Sequence, residues 1–60
     1  MGAVKQQMLE DLDKVGEALY EAGQYGLTYE VVLSSLLHMK NQPESSIEEA
    51  IDAGKAEWDL

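Results

Sequence analysis

Residues 28–40, TYEVVLSSLLHMK, decide how this chain folds. Between Val31 and Met39 the polar side chains are two serines and one histidine. A segment this apolar must be covered in water, because exposing apolar surface costs free energy in proportion to its area. The segments on either side are amphipathic and rich in carboxylates. We therefore expect them to pack over it.

We predict that this stretch is a helix from Tyr29 to about Lys40. Leucine, methionine and lysine are good helix formers, and Pro43 would end the helix. Thr28 is the expected N-cap residue, since its hydroxyl can accept a hydrogen bond from the first helical turn. The two valines also fit a strand, but the chain offers no convincing partner strand.

The preceding segment, about residues 3–22, has the pattern of an amphipathic helix. Its apolar residues follow a 4-3-4-3 spacing, typical of a coiled-coil seam. These residues are Met8, Leu12, Val15, Leu19 and Ala22. Gly23 is the expected C-cap. Gly16 interrupts the pattern and is either a tolerated defect or a point of close helix approach.

The third helix is predicted over about residues 46–58. Ser45 with Glu48 and Ser46 with Glu49 are two overlapping capping-box patterns, and the sequence leaves both open. The expected inner face contains several small residues that let helix backbones approach closely. It consists of Ile47, Ala50, Ile51, Gly54 and Trp58.

The predicted fold is therefore one all-α domain over residues 1–60, a three-helix up-down-up arrangement completed by self-association into a helical bundle. The middle helix should present apolar groups over much of its circumference, and the two flanking helices should cover most of them. One side carries Tyr29, Val32, Leu33, Leu36 and Leu37, and Val31 and Met39 lie elsewhere. A chain of 60 residues buries only about 60% of its unfolded surface, and without cysteine it has no disulfide to add stability. We expect a homodimer formed through Met8, Leu12, Val15 and Leu19.

Charge restricts the function classes. The formal net charge is −8, and the basic residues number four, all of them lysine. Phosphate backbones are bound by lysine and arginine, so direct nucleic-acid binding is not expected. The chain shows neither a signal peptide nor an apolar run long enough for a membrane span. We expect a soluble, cytoplasmic protein.

The residues with catalytic or metal-binding potential fit helix positions better. His38 follows Ser34 and Ser35, but no orienting acid or oxyanion site accompanies them. Residues 11–22 begin like a calcium loop, yet Ala22 stands where a bidentate glutamate is required. We expect no enzyme activity, no cofactor and no bound metal.

Partner-binding candidates lie outside the core. Tyr25, in a glycine-bounded connection, is a plausible contact anchor, because tyrosine is frequent in binding hot spots. Glu48, Glu49 and Asp52 form a negative face on the third helix. That face is either a solvated helix surface or an imitation of a phosphate backbone.

Three functions remain open on these residues. The first is a non-enzymatic interaction module that binds a protein partner, with a basic protein as one candidate. The second is a nucleic-acid mimic that inhibits a DNA- or RNA-binding enzyme. The third is a small-ligand sponge with a pocket at an oligomer interface, lined by Tyr20, Tyr25 and His38.

The second half of the chain also has a family-like pattern. An apolar helix ends in His-Met-Lys-Asn and is followed by Pro43, Ser-Ile-Glu-Glu-Ala-Ile, Gly54 and Glu-Trp. Over Glu30–Leu60 this resembles small acidic orphan proteins of tailed bacteriophages. The resemblance implies a phage accessory protein that binds and modulates or inhibits a host protein in the host cytoplasm. It carries over no catalytic or binding residue.

Overall fold

The apolar central stretch forms a helix, and the segments on both sides form two more. The computed structural model describes residues 2–60, with side chains from Val4 onward. Helix α1 spans Gly2–Gln24, α2 spans Thr28–Asn41 and α3 spans Ile47–Glu57. The described residues contain no strand. The prediction of an all-α, three-helix fold is confirmed.

Contacts between the helices define their directions. The Lys14 Nζ lies 3.0 Å from the Asp52 Oδ1, and the Lys55 Nζ lies 2.8 Å from the Glu21 Oε1. These two ion pairs occur in the same order along α1 and α3, so the two helices run in the same sense. Helix α2 runs the opposite way, which is the predicted up-down-up order.

The core is built from small residues. The buried apolar residues are Ala18, Ala22, Val31, Ala50 and Ile51. Of these, Val31 is the largest whose side chain is completely buried. Burying a valine or isoleucine side chain contributes only about 1.5–3 kcal/mol. A core of this composition therefore supports a fold of modest stability.

Helices α2 and α3 form the most extensive contact, and Gly54 lies at its closest point. A Cβ atom added to Gly54 would lie 2.8 Å from the Val31 carbonyl oxygen and 3.1 Å from the Ser35 amide nitrogen. The Ser35 hydroxyl is buried there and donates to the Val31 carbonyl oxygen at 2.8 Å. The α3 backbone at Gly54 thus lies against both the backbone of α2 and the Ser35 hydroxyl.

The flanking helices cover less of α2 than predicted. Val31 and Ser35 are buried, whereas Leu33, Leu36 and Leu37 are each more than 40% exposed. The reason is the close approach at Gly54, which admits only the side of α2 that carries the smallest groups. At 100° per residue, that choice turns the leucines outward.

Helix α1 ends at Gln24, and Gly26 instead of Gly23 is the glycine of the turn that ends it. Gly26 has a φ of 70°, and the Leu27 amide donates to the Ala22 carbonyl oxygen at 2.8 Å while the Gly26 amide donates to Gly23 at 3.2 Å. This is a Schellman motif. The expected C-cap at Gly23 is therefore wrong, because α1 continues through Gly23 to Gln24 and Gly26 is the glycine with the left-handed conformation.

The start of α2 also differs from the prediction. Leu27 is the N-cap, its carbonyl accepts the first hydrogen bond from the Val31 amide at 2.9 Å, and no side chain caps this end. Thr28 is already helical and does not act as N-cap. The tight Schellman turn causes this shift, since it brings Leu27 directly to the position where α2 begins.

The start of α3 matches one of the two predicted capping boxes. The Ser46 Oγ accepts from the Glu49 amide at 3.1 Å, and the Glu49 carboxylate accepts from the Ser46 amide at 3.4 Å. The Ser45 hydroxyl instead donates to the Gln42 carbonyl oxygen at 2.7 Å. The Ser46–Glu49 capping box is confirmed.

The end of α3 carries the other Schellman motif of the described chain. The Leu60 amide donates to the Lys55 carbonyl oxygen at 2.9 Å, and Asp59 adopts a φ of 60°. Trp58, expected in the core, is 41% exposed and donates its Nε1–H to the Ser34 hydroxyl at 3.0 Å. The indole therefore links the end of α3 to α2 through a hydrogen bond.

Two glycines should respond in opposite ways to the same substitution. A methyl group added at Gly16 would meet open space, so Gly16→Ala should stabilise the fold by about 1 kcal/mol through helix propensity. Gly54→Ala should destabilise it by about 2 kcal/mol or more, because overpacking must separate the helices. Urea denaturation at one fixed protein concentration measures both effects.

Adding Ser35→Ala to the Gly54→Ala variant is the control. Removing the hydroxyl leaves the Val31 carbonyl oxygen and the Ser35 amide nitrogen in place, so stability should not return. Full recovery in the double variant would contradict close backbone packing as the cause.

Asp59→Gly should stabilise the protein by about 1 kcal/mol, because glycine adopts a positive φ without the steric penalty of a Cβ atom. For a domain of this size the midpoint of thermal unfolding should rise by about 4–8 °C. Asp59→Ala removes the same charge but keeps the Cβ atom, and it should give no such rise. An equal gain from alanine would assign the effect to charge.

Candidate interaction surface

A groove runs between α1 and α2, with the start of α3 as its floor. It consists of two adjoining apolar depressions of about 180 and 250 Å³, which share Val15 and Ile47. The other apolar groups that line it are Met8, Leu12, Val32, Leu36, Met39, Ala50 and Ile51. We call this feature the α1–α2 groove. Its lining is suited to an apolar ligand surface.

The outer side of α2 extends this apolar surface. Tyr29, Leu33, Leu36 and Leu37 are all exposed there, and we call these four residues the α2 outer stripe. Leu36 belongs to both the stripe and the groove, and it is 56% exposed. The two features therefore meet along one edge of α2.

The first half of α1 projects beyond its partners. With 23 residues α1 is about 34 Å long, whereas α3 with 11 residues is about 16 Å long. Val4, Met8 and Leu12 consequently lie where α3 offers little cover, and Met8 and Leu12 are 59% and 63% exposed. The overhang is apolar because the seam continues into it.

The predicted self-association residues thus fall in two groups. Met8 and Leu12 are exposed on the overhang, while Val15 and Leu19 are half-buried nearer the core. The structure adds Leu36 and also Ile47, which sequence reasoning had placed on the inner face of α3. The sequence contains a signal for Leu36, because α2 carries apolar residues over much of its circumference and a short chain cannot cover every side of a helix.

The predicted acidic face is engaged within the chain. Asp52 pairs with Lys14, and Glu49 is bound in the capping box with Ser46. The hydrogen bond to Asp52 raises the pKa of Lys14; desolvation opposes this rise, and the charges of Asp52, Glu48 and Glu17 add to it. These carboxylates remain exposed, but two of the three predicted binding residues already have partners.

Tyr25 lies far from that face. It is 65% exposed on the turn between α1 and α2, whereas Glu48 and Glu49 are in the first turn of α3. The length of α2, 14 residues or about 20 Å, separates the two ends of the molecule. A single small ligand surface could not include both.

The three residues of the expected ligand pocket are also dispersed. His38 borders a depression of about 260 Å³ that is lined by Ser34, Leu37, Asn41, Ala53 and Glu57. Tyr20 and Tyr25 do not line that depression, and both are exposed. One copy of the chain therefore does not assemble the expected pocket.

Two further properties concern the described part of the chain. Among its side chains, no three histidines or carboxylates cluster closely enough to hold a metal ion. Within residues 2–60, no helix has both the length and the apolarity required to cross a bilayer.

Comparison with known proteins adds no relative. The resemblance of Glu30–Leu60 to phage orphan proteins accordingly stays a prediction. The chain matches no family model, no curated protein and no solved structure.

Proposed function

We propose that this protein is a non-enzymatic helical interaction module, and that the α1–α2 groove with the α2 outer stripe is its binding surface. The observation that supports this most is the continuity of that surface. Exposed leucines on α2, the α1 overhang and Ile47 at the floor of the groove form one apolar region. Soluble monomers rarely leave such a region uncovered unless it binds something.

The chemistry of the surface favours a protein partner. An amphipathic helix laid in an apolar groove contacts it through residues spaced at i, i+3, i+4 and i+7. Met8, Leu12 and Leu36 are the exposed groups that such a helix would cover. Burying a fully exposed side chain of this kind contributes about 1.5–3 kcal/mol, so each of these partly exposed groups would contribute less than that to binding.

A nucleic-acid mimic remains the alternative from another class, supported by the net charge of −8. Its residues would be Glu48, Glu49 and Asp52, and its partner would be basic. The two functions differ in their response to salt, because ionic attraction between exposed groups is screened whereas apolar burial is not. The phage resemblance sets the expected context for either one, a host protein in the host cytoplasm.

Capture of a partner at two salt concentrations tests the proposal. A photo-reactive residue at Leu12 should crosslink one identifiable protein in host lysate, and the yield should persist at about 1 M salt, where charges are screened beyond about 3 Å. The same residue at Gln6, an exposed position on the other side of α1, is the matched control and should capture nothing specific.

Two outcomes contradict the proposal. Capture that disappears at high salt and on neutralising Glu48, Glu49 and Asp52 together would favour the nucleic-acid mimic instead. Equal capture at Leu12 and Gln6 would show that the apolar surface has no specific role.

A further inference from the structure

Helix α2 is apolar on the side that the chain covers and on the side that it leaves exposed. Val31 is completely buried against α3, and Leu33, Leu36 and Leu37 face solvent on the opposite side. A helix with apolar groups on two opposite sides is normally covered on both sides in a larger helical assembly. The three helices of one chain occupy a Cα envelope only 14 Å deep, so they cannot surround α2.

The surface area of the chain is consistent with a missing layer. The accessible surface is 4542 Å², whereas a folded monomer of 6.6 kDa is expected to expose roughly 3,900 Å². The excess of roughly 650 Å² is close to the area of about 800 Å² that each partner buries in a standard interface. One further surface of similar size would therefore restore an ordinary surface-to-mass ratio.

Charge indicates which partner can supply that surface. Two copies that each carry −8 repel one another across most of their surfaces. In α2 the charged residues are Glu30 and Lys40, whose charges cancel, so this helix is where two copies can approach. These residues lie at opposite ends of α2, which makes the helix complementary in charge to an antiparallel copy of itself.

We infer that a second copy of this chain covers the α2 outer stripe in a two-fold symmetric dimer. The two α2 helices run antiparallel, with the symmetry axis near the middle of the helix. In that register Leu33 of one copy meets Leu37 of the other, and Glu30 faces Lys40 of the second copy twice. The inference rests on the proposed binding surface and names its occupant; the α1 seam then lies beside the dimer contact instead of forming its centre.

Leu36→Glu tests the surface. Leu36 is 56% exposed in one chain, so the fold should survive while the dimer places two carboxylates in an apolar contact. Sedimentation equilibrium at micromolar concentration should show a dimer for the unmodified chain and a monomer for the variant. Gln6→Glu adds the same charge at an exposed position of α1 and should leave the dimer intact.

A charge exchange tests the antiparallel register. Glu30→Lys and Lys40→Glu should each weaken their own dimer about tenfold, since each replaces two attractive pairs by two repulsive ones. Mixing the two variants should restore a heterodimer of near-original affinity, because both opposite-charge pairs form again. Loss of folding could not be repaired by mixing, so this readout separates association from stability.

Several results would overturn the inference. A folded monomer for the unmodified chain at micromolar concentration would exclude the dimer. An intact Leu36→Glu dimer, or mixing without recovery, would place the contact elsewhere. A monomer that still crosslinks a host protein at Leu12 would refute the dimer and leave the proposed function standing. A dimer that crosslinks no other protein would support the inference and contradict the proposed function.

Discussion

The contact between α2 and α3 at Gly54 governs the rest of the structure. With no Cβ atom at this position, the α3 backbone lies directly against the Val31 carbonyl oxygen and the Ser35 backbone. Ser35 is tolerated in the interior because its hydroxyl returns a hydrogen bond to Val31. Close packing of this kind gains dispersion energy where the two backbones approach at Gly54, although it buries few large side chains.

That contact has a consequence for the opposite side of α2. Selecting Val31 and Ser35 as the buried side rotates the leucines outward, and Val32 and Met39 are half-buried in the α1–α2 groove. The result is a thin molecule, 37 × 25 × 14 Å, with apolar groups on an open surface. The exposed leucines are therefore a direct product of small-residue packing, and the apolar surface and the core have one physical origin.

Much of the fold could be predicted from local patterns. Periodic apolar residues identified all three helices, and the two overlapping capping-box patterns placed the start of α3 to within one residue. The wrong predictions have a common cause. In each case several residues fit the local pattern, and only the tertiary structure selects among them. Gly23 and Gly26 are both plausible helix terminators, and only the left-handed φ of Gly26 distinguishes them. Likewise, the sequence places apolar residues over much of the circumference of α2, and the close approach at Gly54 decides that Val31 and Ser35 form the buried side. The candidate surface was predictable only in part, through Met8 and Leu12.

A small core and an open apolar surface are also linked through thermodynamics. Because Val31 is the largest completely buried side chain, the isolated chain has little stability in reserve. A partner that binds only the folded form adds stability in proportion to the logarithm of its concentration relative to its dissociation constant. Covering the α2 outer stripe would thus strengthen the same helix whose inner side forms the core. Folding and recognition in this chain depend on the two sides of one helix, so a substitution at Gly54 alters the surface as well as the interior.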